Sequence, residues 1–454
     1  MSRPKIETFA RELSPETTKS VRAASRLKTE TRMPALRLAF DDVDAARTKA
    51  EEVKEYVLDN LRDLLGQLSK NCKANGIIVH WARDAEEARN ITLEICREHA
   101  EPGDIISKAK SMATEEIHLN GALEEAGFVP VETDLGEYVV QIDGDTPSHI
   151  VTPIIHKNRR QIAESFNREG LGPYTEEPTE LTHQARTKLR DLFRQAKIGI
   201  SGINFAIAST GRLVLVENEG NNRFSTTAPD VHIALMGIEK LLPSEDHLPL
   251  FLRLLAGSAT AQKLTVYTHL ISGPRREDEL DGPRHVHLIM LDNGRVKALT
   301  GPYRSILRCI RCGACLNVCP VYRQVSGHGY REVYSGPLGA VLGPALKGVH
   351  AVGDLAKAST LCGACEEVCP VKIPFPDLLL KIRDQAVREQ AFADPIPWKW
   401  FGKGAEEASR WKIGLKLLPL AISAPSEAKA MWDEFREVPE RQGQDFRRWW
   451  RERH

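Results

Sequence analysis

Cys309-Ile-Arg-Cys312-Gly-Ala-Cys315-Leu-Asn-Val-Cys319-Pro320 carries its cysteines in the C-x2-C-x2-C-x3-C-P spacing of bacterial ferredoxins. Two residues between thiolates let a tight loop offer three sulfurs to three corners of an iron–sulfur cubane, and Gly313 permits the backbone angles such a loop needs. The fourth sulfur turns away, and in two-cluster ferredoxins it ligates the other centre. Cys362-Gly-Ala-Cys365-Glu-Glu-Val-Cys369-Pro370 repeats the motif with Ser359 where its first cysteine would stand. Crossing the ligands gives one complete [4Fe-4S] cluster on Cys309, Cys312, Cys315 and Cys369, and leaves Cys319, Cys362 and Cys365 for a second. Three thiolates suit a [3Fe-4S] centre, or a [4Fe-4S] cubane whose last iron takes another donor, with Ser359 and His328 as candidates. A zinc site would use two spaced pairs, or a pair plus histidines, so the spacing favours iron and sulfide. The seven cysteines together read as a one-electron relay in which the protein itself performs no bond chemistry.

Working outward, the other two of the nine cysteines stand alone. Cys96 falls on the apolar side of an expected helix with Ile91, Leu93 and Ile95, a core position. Cys72 lies beside Lys73, which could lower its pKa, but no histidine partner makes it a nucleophile. Metal ligation rather than a disulfide framework implies a reducing compartment. The opening MSRPKIETFARELSPE lacks the apolar stretch and cleavage site of a secretory signal, and no window approaches the ~18 apolar residues of a membrane span. The expectation is a cytoplasmic protein with no transmembrane segment. Lysine plus arginine (62) balances aspartate plus glutamate (62), which leaves no global field to gather nucleic acid. There is no G-x-G-x-x-G: Gly327-His-Gly329 has Glu332 where the third glycine belongs, so a nicotinamide or flavin Rossmann site is unsupported.

The 454 residues divide by pattern into four parts. Residues 1–66 read as a helical arm, since Val53, Val57, Leu61 and Leu65 recur every four residues within Asp44 to Leu68. Residues 67–296 alternate short β-branched runs with helical stretches, which predicts an α/β fold with a mainly parallel sheet. Expected strands include Ile77–His80, Asp104–Ile106, Val129–Val131, Phe205–Ala208, Leu213–Val216, Val231–Met236, Leu264–Tyr267 and His285–Met290; expected helices include Asp84–His99, Met112–Ala126 and Glu180–Ala196. Residues 297–390 form the helical ferredoxin-type module, and 391–454 a helical extension. Polar, glycine-rich loops follow the strands around Gly199 to Thr227, and ligands in open α/β sheets favour the crevice beyond strand C-termini. Asn204, Thr210, Glu217, Asn218 and Thr226 are therefore candidate pocket residues, although such residues also simply make turns. In Lys108-Ala-Lys-Ser-Met-Ala-Thr-Glu-Glu116, Ser111 or Thr114 is expected to cap a helix with Glu116 satisfying its first turn, while Lys108 and Lys110 could meet an anion.

SKAKSMATEEI, SGINFAIASTGRLVLVENEGNNRFSTTAPDVHIALMGIEKLLP, CIRCGACLNVCPVYRQVSGHGY, YSGPLGAVLGP and LCGACEEVCPVKIP together resemble the L-lactate utilisation iron–sulfur protein family, the LutB/YkgF type. The likeness covers nearly the whole chain beyond its first forty or so residues. It implies a lactate-utilisation domain, akin in fold to isomerases and CoA-transferases, fused to a two-cluster ferredoxin module. It further implies a cytoplasmic system oxidising L-lactate to pyruvate, whose partners are a glycolate-oxidase-like iron–sulfur protein and a second lactate-utilisation-domain protein. The seven cysteines match the family pattern, including the missing eighth. No catalytic residue of the α/β domain carries over.

In the extension, Trp398, Trp400, Trp411, Trp432, Trp449 and Trp450 are interleaved with lysines and arginines. Tryptophan and arginine mark interface hot spots, so this part is expected to dock a partner subunit or a membrane face, against the alternative that the indoles pack within the chain. The leading expectation is a non-catalytic electron-transfer subunit. The rivals are a chain that oxidises its substrate in the α/β pocket next to an open-iron cluster, and an iron or redox sensor.

Overall fold

The computed structural model describes residues 6, 9, 10, 13–391, 398–423 and 446–453. Ten strands follow in order: β1 (Ile78–Ala82), β2 (Ile105–Lys108), β3 (Val129–Glu132), β4 (Ile198–Gly202), β5 (Phe205–Ile207), β6 (Arg212–Glu217), β7 (Val231–Gly237), β8 (Leu241–Leu242), β9 (Tyr267–Ile271) and β10 (His285–Leu291). Six of them make a wholly parallel sheet in the order β1-β10-β7-β4-β2-β3. Such a sheet is buried on both faces, and its central strands show it. Ala234 and Met236 of β7, with Val286, Leu288 and Met290 of β10, pack on one side against the helix Leu61–Ala74. The intervening Ile233, Leu235, Ile289 and Leu291 pack on the other against the helices Ala85–His99 and Leu119–Glu125.

A second, four-stranded sheet in the order β8-β5-β6-β9 was not foreseen. It is mixed: β5 and β9 run antiparallel to β6, and β8 runs parallel to β5. Strand β4 was also missed, and the reason is steric. A Cβ on Gly199 would lie 1.6 Å from the Ser225 carbonyl oxygen, and one on Gly202 would lie 2.4 Å from Ser111 Oγ. The close approach of neighbouring backbone demands glycine, and glycine erases the β-branched signal that announces a strand. The expected strand at Leu264–Tyr267 begins only at Tyr267.

Several expected helices shift. The predicted run Asp44 to Leu68 is two helices, Val43–Asp59 and Leu61–Ala74, separated at Asn60. The boundary drawn at residue 66 thus falls inside a helix whose Leu61, Leu64, Leu65 and Leu68 belong to the α/β core. Met112–Ala126 is broken into Met112–Glu116 and Leu119–Glu125 by His118 at φ 52°. Ser111, not Thr114, caps the first of these, its hydroxyl accepting from the Thr114 N–H at 3.3 Å.

After β10 the described chain to Ala391 is helical, with no further strand among the described residues. The helix Pro15–Ala39 packs along this block, touching Ala314–Val318 and Pro320–Val325 as well as Leu248–Thr260 of the α/β part. The C-terminal segment forms a separate unit, in which Trp398–Ala405, Ala408–Ser423 and Phe446–Arg451 are helical. There the Arg453 guanidinium lies 4.8 Å from the Trp449 ring centroid, and Trp411 and Trp450 are partly exposed. Trp432 lies outside the described residues.

A buried ionic network joins the two halves of the main unit. Arg295 bonds Glu116 in bidentate fashion at 2.8 and 2.9 Å and reaches Glu239 at 2.6 Å. Glu239 in turn accepts from Arg311, inside the first cysteine loop, at 3.0 Å. Tyr334 donates to Glu116 at 2.7 Å, and Lys54 donates to the Glu239 carbonyl at 2.6 Å. Glu116 therefore serves Arg295 rather than its own helix. Arg295 holds its carboxyl down to about 2 despite burial. Removing one member strands buried charge, which costs about 3–5 kcal/mol. Glu239→Ala should lower the urea-unfolding midpoint, followed by far-UV circular dichroism, by the equivalent of that amount. Glu52→Ala, which breaks an exposed pair with Lys49, should change it by no more than about 0.5 kcal/mol.

Candidate iron–sulfur site and α/β cavity

The two cysteine loops share one backbone path. Arg311 and Leu361, each immediately before a cysteine, have φ of 61° and 54°, and Gly313 and Gly363, each immediately after it, have φ of 74° and 81°. Only glycine adopts that conformation freely, so the glycines are required by the loop, while the arginine and leucine are held there by their surroundings. A Cβ on Gly313 would also approach His149 Cε1 at 3.0 Å.

Cys309, Cys312, Cys315 and Cys369 line one small cavity, closed by Leu338, Val371, Ile373 and Phe375. Backbone N–H groups already point at two of the sulfurs: Arg311 N to Cys309 Sγ and Ile373 N to Cys369 Sγ, both at 3.4 Å. Burial pushes the Cys312 thiol up to about 12 and that of Cys369 up to about 11. The thiols could ionise together only against a compensating cation, and the thiolate is the ligand form. An all-sulfur donor set in an apolar pocket with N–H donors fits an iron–sulfur cluster.

Cys319, Cys362 and Cys365 interact with one another electrostatically, the charges of Cys319 and Cys362 helping burial to raise the Cys365 thiol to about 12. Cys319 and Cys365 are buried and Cys362 is exposed. A hydrogen bond from the Thr360 hydroxyl, then the Ala364 N–H, holds the Cys362 thiol below its ordinary value. Both candidates for an extra iron donor have hydrogen-bond partners of their own. The Ser359 hydroxyl accepts from the Leu361 N–H at 3.2 Å. His328 Nε2 donates to the Thr146 carbonyl at 2.7 Å and faces Asp145 at 3.6 Å. Thr360, passed over in the sequence, is the side chain beside Cys362.

The N-terminal helices hold both loops by their carbonyls. Arg32 donates to Val368 O at 2.6 Å and Arg47 to Cys369 O at 2.9 Å, while Thr29 donates to Asn317 O at 3.3 Å.

A separate cavity of about 250 Å³ opens at the C-terminal ends of the parallel strands. Lys110 and Ser111 follow β2, Asp134 follows β3, Gly202 ends β4 with Ile203 and Asn204 after it, and Lys240 follows β7. The chain leaves β2 toward β3 on one side and β4 toward β7 on the other, so this is the sheet's topological switch point, where ligands of open α/β folds bind. Of the expected pocket residues, Asn204, Glu217 and Asn218 line the cavity, and Thr210 and Thr226 do not. Thr210 sits in the β5–β6 turn, where its carbonyl accepts from Asn75. The Thr226 hydroxyl is spent on the Arg223 carbonyl of its own helix.

Lys110, Asp134, Glu219, Asn222, Lys240 and Arg311 also line the cavity. Lys110 meets an anion as foreseen, but it is the protein's own Asp134, at 2.9 Å. Lys108 is buried against Glu132 at 2.6 Å and does not reach the cavity. Glu217 accepts from His269 at 2.6 Å and from the N–H groups of Asn222 and Arg223. Burial and the Asp134 charge push Glu219 up to about 7, and burial with the Arg311 charge brings Lys240 down to about 8. Arg311 brings the four-cysteine loop to the cavity wall; no residue of the Cys362 loop lines it. The lone cysteines are core: burial raises both Cys72 and Cys96 to about 12, so Lys73 does not activate Cys72.

Comparison with known proteins agrees with this architecture. The LUD domain family matches residues 65–291, and the 4Fe-4S dicluster domain matches residues 305–373. Lactate utilization protein B of Bacillus cytotoxicus is 44% identical over 419 residues, 89% of this chain and 88% of that protein. Its namesake in Bacillus subtilis is 44% identical over 420 residues, 90% and 87% of the two chains. That of Anoxybacillus flavithermus is 44% identical over 422 residues, 90% and 89%. A solved structure of a DUF162 family protein from Deinococcus radiodurans aligns with 51% of this chain and 98% of its own at 11% identity, with a TM-score of 0.29. Matched along about nine-tenths of its length at 44% identity, with a LUD domain followed by a 4Fe-4S dicluster domain, the chain belongs to the lactate utilization protein B family.

Proposed function

We propose that this protein is the electron-transfer component of a system oxidising L-lactate to pyruvate, and that it passes electrons through two iron–sulfur centres. The observation that carries the reading is the single cavity lined by cysteines from both motifs, Cys309, Cys312, Cys315 and Cys369. In this assignment those four hold a [4Fe-4S] cluster, and Cys319, Cys362 and Cys365 hold a [4Fe-4S] or [3Fe-4S] centre. Each bound centre takes and gives up one electron, so a pair matches the two electrons that lactate releases. Burial supports a direction. The four-cysteine loop faces the α/β cavity through Arg311, whereas Cys362 of the other group is exposed. Electrons would thus arrive from the cavity side and leave near Cys362. Partners of the glycolate-oxidase-like and second LUD-domain types are the proposed donor and acceptor, with the C-terminal tryptophans as a docking surface.

The cavity also supports a second reading, in which this chain holds the substrate itself. The neighbouring centre would then be the four-cysteine one rather than the open-iron one, because Arg311 belongs to the Cys309 loop.

Protein purified without oxygen should contain about seven or eight iron atoms per chain, with sulfide in matching amount. Electron paramagnetic resonance should give signals of two centres across the oxidised and reduced states; colourless protein holding zinc would end the proposal. Cys369→Ser should remove the signal of the complete cluster and spare that of the three-cysteine centre, and Cys365→Ser should do the reverse. The opposite pattern would overturn the crossed assignment.

A further inference from the structure

The strand-end cavity is polar, and nearly all its charged groups are already matched. Lys110 is paired with Asp134, Glu217 with His269, and Arg311 with Glu239. Glu219 accepts from the Leu135 N–H at 3.1 Å. Two groups on the wall stand apart. The Lys240 ammonium makes no ion pair or hydrogen bond among the described residues, and the residue is half-buried on the cavity wall. Asn222 is only 9% exposed, and its Oδ1 accepts no hydrogen bond. A buried polar atom without a partner, such as Asn222 Oδ1, costs about 1–3 kcal/mol, so it is retained where a ligand completes it, and the Lys240 charge beside the same cavity is free to meet that ligand.

The two groups ask for opposite things. Lys240 offers a positive charge and three donors, which a carboxylate accepts. Asn222 Oδ1 needs a donor, which a hydroxyl supplies. Leu255, Ala256 and Ala259 give the cavity an apolar side where a short carbon chain can lie. A cavity of about 250 Å³ admits a molecule of a few carbons and excludes a dinucleotide.

We propose that this cavity binds a small hydroxycarboxylate, with its carboxylate on Lys240 and its hydroxyl donating to Asn222 Oδ1. This deepens the reading above by supplying a substrate-class site, and depends on that reading only for the choice of L-lactate as probe. The ligand would rest against Arg311, within the loop that carries Cys309 and Cys312. Asn204, Glu217 and Asn218 would shape the cavity and make no charge contact of their own.

The test is calorimetric titration of the anaerobically purified full chain with L-lactate and, separately, propionate, which lacks the hydroxyl. L-lactate should bind at least about tenfold more tightly than propionate. Lys240→Met should weaken L-lactate binding about tenfold or more, and Lys240→Arg should retain most of it. Asn222→Leu should abolish the preference over propionate while leaving propionate binding in place. The inference is overturned by absence of L-lactate binding up to about 10 mM, by equal affinity for the two acids, or by full affinity in Lys240→Met. Should Lys240→Met fail to fold, the lactate-to-propionate ratio of the unmodified chain and of Asn222→Leu decides. Iron content and resonance spectra of the same preparation separate the two proposals: intact centres without lactate binding sink this one alone, and lactate binding without centres sinks only the relay.

Discussion

The position of the first cysteine loop against the sheet rests on charges that have nowhere else to go. Arg295, Glu116, Glu239 and Arg311 are all buried, and each is ion-paired to another member of the network. In a medium of low polarity an unmatched ion is far costlier than a lost surface pair. The network therefore admits one arrangement of the cysteine module on the α/β domain. Gly237 at the end of β7 makes room for it: a Cβ there would sit 2.2 Å from Glu239 Oε2 and 2.4 Å from Arg295 Nε. Whether the arrangement adds net stability over an apolar contact is secondary, since what it supplies is register.

That register has functional consequences. It puts Arg311 on the wall of the strand-end cavity while the same residue's N–H faces Cys309 Sγ. The cavity wall and the four-cysteine cavity then share one loop, so a charge placed in either would be felt in the other. The N-terminal helices complete the frame by donating to carbonyls of both cysteine segments, so the sulfurs are held by backbone that has little freedom to relax. Rigid presentation of this kind suits electron transfer, in which little atomic movement should accompany the change of charge.

The cysteine motifs were legible because their chemistry is encoded in local spacing: a loop of two residues between thiolates is a backbone geometry, and Gly313 and Gly363 take the positive φ that it needs. Strands with largely apolar runs, such as β7 and β10, were legible for the same local reason. The cavity was half legible. Asn204, Glu217 and Asn218 lie in polar loops just beyond strands, a pattern visible along the chain. Lys240 and Arg311 come from segments far apart in sequence, and only the fold makes them neighbours. Thr210 and Thr226 looked equivalent to the true lining residues because residue type cannot tell which way a turn faces.

The amino-acid sequence by itself determined the cysteine motifs, the parallel α/β character and the family, because each depends on spacing, periodicity or overall likeness within short stretches. The tertiary structure decided which carboxylate answers which arginine, where β4 threads through the sheet, and that the cavity opens toward the Cys309 loop rather than the Cys362 loop. These are outcomes of packing between distant segments. Glycines such as Gly199, Gly202 and Gly237 are chosen for what must approach them, and that information lies in the neighbour rather than in the residue itself.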